Sequence, residues 1–554
     1  MSKTKNGFLF GAIILVICNL VTKFISAIYR VPLLKILGSE GLGQYQMIFP
    51  IYALFLVISS SGIIVTISKL SSKEFEVNNQ KNARKYFFAG FLISLLSSII
   101  LSLLLLIISP SLSKVQSGGN LSKSYLAIIP AIIFGSLITA VRGYYLGEKQ
   151  MKYSGLIQIV EAVSKLIFSL GFSVLFAKNG LFGAVFGAIL GLSVSEIVAF
   201  VFSIILYFFS KNKNRNKTKS ILKNKKLLIM QKQNKYDYKI LHSKNRYITF
   251  GVAIKKVLTF SFFVMLQACA MPLVSAVDSL IVVPLLLKTG LSHTLSFSLY
   301  GLEDGIVSSI ISLPTFVATA IGASIIPNIK KESAGSETTV DNIKNSFSIV
   351  WIVSVFCAFV FLFFSTDIIN FLYGSGLNTF AIDELKISSD LLKINSFNII
   401  YLSFIIISTS ILQALEKNKV PVINLFCAAI VRIFALLFLV SSKVINIYGT
   451  ALCDTVFYSF ALFLNLTAIK KLVPLKLNLI KFFVLPIVSC LVMSVAMKSF
   501  SIFLTGFISP KILTSIVMIA GGFLYLLFLN ITKVINIKEM QFMFQKRQKE
   551  KVNN

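Results

Sequence analysis

The chain has few of the groups on which hydrolytic and group-transfer enzymes depend. Of its 554 residues two are histidines, His242 and His293, and 21 are carboxylic acids against 54 lysines and arginines. The six cysteines, Cys18, Cys269, Cys357, Cys427, Cys453 and Cys490, fall inside apolar stretches without CxxC spacing, so neither a disulfide framework nor a zinc site is indicated. No Walker motif is present, which excludes ATP hydrolysis by a phosphate-binding loop of this chain. Long polar segments are scarce too. Only residues 211–256 form an extended polar connection.

What is abundant is hydrocarbon: 56% of residues are hydrophobic, more than a water-soluble fold covers with polar surface. A helix needs about 20 apolar residues to cross the hydrocarbon core. On that rule about fourteen spans are predicted, at 7–29, 47–70, 86–108 and 126–146, then from near 154, 180, 257, 302, 347, 391, 421, 446, 482 and 512. Continuous runs in place of short alternating segments exclude a β-barrel, so the predicted class is an all-α membrane protein. The net charge of +33 does not point to nucleic acid, because the basic residues are spread over short connections instead of clustering on a polar domain.

Lysine and arginine near span ends are retained on the cytoplasmic side. Lys69, Lys73, Lys81, Arg84 and Lys85, then Lys149 and Lys152, Lys330, Lys331 and Lys344, and Lys470, Lys471 and Lys476 follow even-numbered spans. This predicts a multi-pass protein of the cell membrane with both termini cytoplasmic. The first apolar run is too long for a cleaved signal peptide, and Lys23 and Arg30 follow where a small-residue cleavage site would stand. Residues 211–256, with Lys213, Arg215, Lys217, Lys219, Lys223, Lys225 and Lys226 against Asp237 alone, read as a cytoplasmic linker held near anionic phospholipid headgroups. Within it, 221–230 is a candidate interfacial helix.

The halves flanking this linker resemble each other. Leu146-Gly-Glu-Lys-Gln-Met-Lys-Tyr-Ser154 reappears as Leu415-Glu-Lys-Asn-Lys-Val-Pro421, Val163-Ser-Lys-Leu-Ile167 as Ile430-Val-Arg-Ile-Phe434, and Asn179-Gly-Leu-Phe-Gly-Ala184 as Asn446-Ile-Tyr-Gly-Thr450. Lys165 therefore corresponds to Arg432. The expected organisation is an N-terminal lobe at 1–210, the linker at 211–256, a second lobe at 257–475, two added helices at 476–532 and a basic cytoplasmic tail at 533–554. The lobes are expected as pseudo-symmetric six-helix bundles related by an axis along the membrane normal.

A Lys or Arg at the centre of a span costs roughly 2.5–3.5 kcal/mol and is kept only with a partner or a wet cavity. Asn19, Lys23, Ser26 and Arg30 follow at steps of four, three and four, one face of a helix. Arg30 has the alternative of snorkelling to the outer interface. Lys165 has Glu161 one turn earlier as an ion-pair partner. Arg432 has no carboxylate in its own span, so its partner is Asp278, Asp454 or a bound anion. Arg142 is nearer the cytoplasmic end, where a role as topological anchor competes. Glu196 reads either as a proton or cation site or as a packing hydrogen bond. The candidate substrate contacts are thus Lys23, Arg30, Arg432, Lys165, Asn19 and Arg142, the candidate ion-coupling residues Asp278, Glu196 and Glu161, and no metal site is expected. Pro50, Pro272, Pro314 and Pro327 are expected to bend their spans.

Several stretches carry a family resemblance that covers nearly the whole chain. They are Ile36-Leu-Gly-Ser-Glu-Gly-Leu-Gly-Gln-Tyr-Gln-Met47, Ser61-Gly-Ile-Ile-Val-Thr-Ile-Ser-Lys-Leu70, Arg142-Gly-Tyr-Tyr-Leu-Gly147, Leu299-Tyr-Gly301 with Leu313-Pro314 and Ser324-Ile-Ile-Pro327, and Thr409-Ser-Ile-Leu-Gln413. Together they resemble the stage V sporulation protein B family, in the superfamily of MurJ-type lipid flippases, polysaccharide exporters and MATE drug transporters. The resemblance implies fourteen helices in two lobes and alternating access that moves an undecaprenyl-diphosphate-linked saccharide, such as lipid II, to the outer leaflet. It implies a transporter and not an enzyme, acting as a monomer, with a lipid-linked saccharide and anionic phospholipids as partners. No cofactor is implied beyond the membrane potential or a coupled monovalent cation. In MurJ-like relatives basic residues of the first helix line the cavity. Lys23 and Arg30 are similar to these, with Lys in place of Arg at the first and one more residue between them.

Two alternatives stand beside this reading. A MATE-like exporter of cationic drugs needs acidic groups to dominate its cavity, whereas the first helix carries basic ones. A membrane glycosyltransferase or ligase needs catalytic carboxylates or histidines in sizeable outer loops, and the outer gaps are short and hold only His293.

Overall fold

The structure is a computed structural model that describes residues 2–77, 79–117, 121–231, 247–326, 336–377, 382–474, 480–505 and 507–532, with Ile329 and Val534. Pro327, Lys330, Lys331, Lys476, the linker residues 232–246 and the basic tail from 535 lie outside the described residues. Backbone groups in hydrocarbon must bond within their own segment. Helix accordingly makes up the architecture, and the one pairing of extended backbone among the described residues is an isolated bridge between Thr505 and Ile508.

Among the described residues eleven helices are long and apolar enough to cross a membrane. The count rises to 13 if two bent pairs, His293–Ser312 with Thr315–Ile325 and Glu384–Asn395 with Asn398–Ala414, are each one span. The predicted fourteen is therefore not established, because helices and spans do not map one to one. Ser2–Glu76 is two helices joined across a kink at Gly38, and at about 1.5 Å per residue each exceeds a hydrocarbon core of about 30 Å. Conversely, the single span expected from near 257 is two helices, Phe250–Ala268 and Ala270–Lys288. Pro272 lacks the N–H that would bond the carbonyl of Ala268, so the ladder stops there. Pro314 likewise stands at the 48° bend between His293–Ser312 and Thr315–Ile325.

The first helix corrects a second expectation. Residues 31–46, read as a gap between spans, are helical, and Leu33, Leu34, Leu37, Leu42 and Gln44 are buried. The interruption is confined to Gly38, at φ 64° and ψ −179°, a conformation that glycine adopts without strain. Pro50 produces no such break.

The chain forms two compact units, residues 3–26 with 48–276 and residues 27–47 with 277–554. In the first, Met151–Phe176 and the helix Gly180–Gln231 make a tight hairpin through Gly180, at φ 80°. Gly183, Gly187 and Gly191, one turn apart, face the carbonyls of Phe176, Phe172 and Phe168 so closely that a Cβ would come within 2.5, 2.3 and 2.3 Å of them. Such small-residue stripes let backbones touch in lipid, where no hydrophobic force drives helices together. The second helix of this hairpin continues as far as Gln231, through 221–230, rather than ending at 210.

In the second unit Lys419–Leu439 and Tyr448–Leu472 make the corresponding hairpin, turning at Asn446, φ 51°. The helix preceding each hairpin ends alike: Gln150 N–H donates to Tyr145 O with Lys149 at φ 61°, and Lys417 N–H to Leu412 O with Glu416 at φ 60°. These are Schellman ends. They pair Glu148 with Leu415, two residues from the sequence alignment, which had matched Leu146 to Leu415. Lys149, Lys165 and Asn179 then stand at one common offset from Glu416, Arg432 and Asn446.

Residues 27–47 cross the helix His293–Tyr300 at a contact without side chains. A Cβ on Gly43 would lie 1.9 Å from Phe297 O, and one on Gly301 would lie 2.2 Å from Ser39 O. We expect Gly301→Val or Gly43→Val to force these helices apart and lower stability by several kcal/mol, within the range of severe overpacking. Gly171→Ala, which meets nothing within 4 Å, is expected to be neutral or slightly stabilising. Thermal unfolding of the detergent-solubilised protein separates the two outcomes.

Candidate functional site

In the first unit, Asn19, Lys23 and Ser26 lie exposed on the first helix. The packed side of that segment is marked by Cys18, buried so closely on Gly155 that a Cβ there would lie 2.6 Å from its Sγ. The Ser26 hydroxyl donates back to Thr22 O at 2.9 Å. Among the described residues Lys23 makes no ion pair. An ammonium in such a span calls for a partner or a water-filled cavity.

A second group of charges lies inside the same unit. Arg142 comes from Ile129–Gly147, Glu161 and Lys165 from Met151–Phe176, and Glu196 from the helix that begins at Gly180. Glu161 lies in the field of both Arg142 and Lys165. Glu196, 3% exposed, accepts a hydrogen bond from the Tyr52 hydroxyl at 3.0 Å, while its Oε2 is buried without a partner. Gly135 gives that oxygen room, since a Cβ there would come within 3.3 Å of it. The Lys165 ammonium stands 4.5 Å from the centre of the Phe49 ring, a cation–π distance. Arg142 is not the topological anchor that its position in the sequence allowed: its Nε is buried, without a partner, beside these carboxylates.

The second unit gathers the remaining intramembrane charges. Arg30 turns inward instead of snorkelling outward. Its Nη1 donates to Gly305 O at 2.6 Å, to Asp304 O at 3.2 Å and to the Ser309 hydroxyl. Residues Gly301–Val307 form a π-helical turn, whose wider spacing presents carbonyls away from the regular ladder. Gln46 donates to Asp304 O at 3.0 Å and to its Oδ2 at 2.6 Å. Arg30 is thus held by neutral acceptors, and no ion pair to it occurs among the described residues.

Arg432 is matched differently. Its Nε donates to Asp454 Oδ1 at 3.1 Å, its Nη2 to the same oxygen, and its Nη1 to Asp278 Oδ1. Three helices converge on this one guanidinium, which is 6% exposed. Of the partners weighed from sequence, two carboxylates of the protein itself fill the role, with no need of a bound anion. Close by, Asn395 donates to Glu303 at 3.1 Å and Asn398 to Asn395 at 2.8 Å, and the Thr455 hydroxyl donates to Asn398 at 2.9 Å. Sequence reading missed Gln46, Glu303, Asp304, Asn395 and Asn398. The available signal was the pair Glu303-Asp304 inside a predicted span, where adjacent carboxylates demand an explanation.

Residues 8–231 match the family described as polysaccharide biosynthesis protein. The chain is 21% identical to stage V sporulation protein B of Bacillus subtilis over 86% of its own length and 86% of that protein. It is 22% identical to the lipid II flippase MurJ of the same organism over 93% of its length and 94% of that protein. Among solved structures it superposes on the lipid II flippase MurJ in an inward closed conformation with a TM-score of 0.67, at 16% identity, covering 94% of this chain and 98% of that one. An inward-facing multidrug resistance MATE family transporter of the MOP superfamily gives 0.59 at 12% identity, covering 82% and 95%. At such identities the structural likeness speaks for the fold. The chain is a multi-pass membrane protein homologous to stage V sporulation protein B and MurJ, its residues 8–231 carrying the polysaccharide biosynthesis protein pattern, with the fold common to MurJ and the MATE transporters of the MOP superfamily.

Proposed function

We propose that the protein is a flippase that carries an undecaprenyl-diphosphate-linked saccharide, of the lipid II kind, across the cytoplasmic membrane by alternating access, for cell-wall or spore cortex synthesis. A diphosphate bearing a sugar cannot cross hydrocarbon unaided, because each charge stripped of water costs many kcal/mol. The observation that carries the reading is Lys23, an exposed ammonium on a membrane helix with no ion pair among the described residues. Arg30 is held by carbonyls and a hydroxyl, with the carboxylate of Asp304 in its field and no ion pair among the described residues. Both can give charge-assisted hydrogen bonds to a diphosphate, with Asn19 adding a neutral contact, while the prenyl tail stays in lipid.

Arg432, spent on Asp278 and Asp454, orders the second unit in this reading and does not clasp the headgroup. Arg142 and Lys165 serve the buried group around Glu161 and Glu196. Coupling to the membrane potential or to a monovalent cation falls to the buried carboxylates, among which Glu196 keeps an unpartnered oxygen. The charge pattern between spans puts both termini in the cytoplasm. The name of one Bacillus subtilis relative, lipid II flippase MurJ, supports the cargo class.

One observation favours a second reading, a MATE-like exporter of cations. The interior of the second unit holds Asp278, Glu303, Asp304 and Asp454 against Arg30 and Arg432. The two readings differ in what accumulates on depletion. A flippase leaves lipid-linked precursor shielded from externally added reagents, whereas an exporter leaves lipid pools unchanged and alters dye efflux.

Lys23→Ala and Arg30→Ala should each lower transport roughly ten- to a hundredfold, the loss of a charge-assisted bond worth roughly 1.5–3 kcal/mol, and the double variant should abolish it with normal membrane insertion. Accessibility of the precursor in depleted cells carrying each variant is the measurement, and a fully active double variant would falsify the clasp. Arg432→Leu alone strands two buried carboxylates and should cost about 3–5 kcal/mol. Adding Asp278→Asn and Asp454→Asn should recover most of the melting temperature. If transport recovers with folding, Arg432 is a structural residue. A folded but inactive triple variant would return it to the substrate.

A further inference from the structure

The first unit carries an open groove of about 500 Å³ on its apolar surface, within the size range of ligand sites, roughly 300–1,000 Å³. Its walls come from three helices: Ile58, Gly62 and Ile63 of the first, Ile93 and Ser97 of Gln80–Ser117, and Leu258, Phe262 and Met265 of Phe250–Ala268. The hydroxyls in it are already used within the protein. Ser59 donates to Leu56 O at 3.0 Å, Ser97 to Ser94 O at 3.1 Å, Thr259 to Lys255 O at 2.9 Å and Ser261 to Leu258 O at 3.2 Å. Nothing along the walls asks for a polar ligand. The groove suits hydrocarbon.

Its two ends differ in charge. Each of the three helices places lysines beyond the same end of the groove: Lys69 and Lys73 after Ile63, Lys81 and Lys85 before Ile93, and Lys255 and Lys256 before Leu258. Toward the other end the same helices carry no charged residue over 50–58, 93–113 and 258–268. Lys69 stands 5.6 Å from the Phe260 ring, Lys81 stands 5.3 Å from that of Tyr247, and Lys256 reaches the Tyr86 hydroxyl at 3.5 Å. Lys69, Lys255 and Lys256 are exposed, and none has a carboxylate partner among the described residues. Glu74, the nearest acid along the first helix, is engaged by Asn82 at 3.1 Å. From Lys69 back to Ser59 is about 15 Å of helix, close to half of a ~30 Å hydrocarbon core.

We propose that this groove is a binding site for one anionic phospholipid, with an acyl chain along Ile58, Ile63, Ile93 and Met265 and the headgroup phosphate at Lys69, Lys255 and Lys256. The basic end is the one that the charge pattern between spans assigns to the cytoplasmic leaflet, where anionic lipids attract lysines near the surface. The site is separate from Lys23 and Arg30 and stands whatever cargo the protein moves.

The test is native mass spectrometry of the full-length protein in detergent, titrated with phosphatidylglycerol or phosphatidylethanolamine. Phosphatidylglycerol is expected to bind at least fivefold more tightly. The triple variant Lys69→Ala, Lys255→Ala, Lys256→Ala should lose that preference. Thr259→Trp, which fills the groove from an exposed position and leaves the lysines in place, should weaken phosphatidylglycerol at least fivefold with an unchanged melting temperature in lipid-free detergent. Leu258→Trp serves the same purpose if that variant does not fold. Equal binding of the two lipids overturns the proposal, as does phosphatidylglycerol binding that a groove-filling variant leaves intact. Displacement of phosphatidylglycerol by equimolar undecaprenyl phosphate also overturns it, since the groove would then belong to a prenyl chain.

Discussion

A guanidinium surrounded by hydrocarbon has no water to turn to, and the second unit is arranged around that constraint. Arg432 cannot be stripped of solvent unless acceptors arrive from elsewhere, and they arrive from two other helices as Asp278 and Asp454. The triad therefore fixes the mutual register of Ala270–Lys288, Lys419–Leu439 and Tyr448–Leu472, because sliding any one of them by a turn would strand a charge. The Asn395, Asn398 and Thr455 bonds extend the same logic to neutral groups. Lipid-facing packing supplies little specificity of its own, since acyl tails are as apolar as leucine.

The first unit obeys the constraint with a different inventory. Two cations, Arg142 and Lys165, stand among two carboxylates, Glu161 and Glu196, so formal charge balances inside. Lys23, on the same unit, stands apart from this balanced group and makes no ion pair among the described residues. Arg30 is the intermediate case, bonded to neutral acceptors within the field of Asp304.

Much of this was legible in the sequence for one reason: hydrocarbon punishes errors in patterning, so apolar runs, basic caps and repeated turns survive as plain signals. The presence of many spans, the matching stretches that begin at Asn179 and Asn446 and the need of Arg432 for partners all followed from it. Tertiary approach did not. Residues 31–46 looked like a gap because polar residues and three glycines interrupt the apolar run, yet Gly43 is there to let backbones touch at Phe297. The count of spans stayed open because a helix can run past its span and a proline can split one. The π-helical turn at Gly301–Val307 has no composition of its own, so the carbonyls that hold Arg30 could not be foreseen.

The glycine stripe of Gly183, Gly187 and Gly191 leaves no compliant side chain between the two helices it joins. A pair welded backbone to backbone has nothing to compress or reshuffle, so it must travel as a single piece whenever the protein changes shape. Among the described residues, bending is then left to places where helices are already broken, Gly38, Cys269, Pro314 and the 45° bend between Asn395 and Asn398. In mechanical terms the chain is a set of stiff plates with its joints written in at those positions.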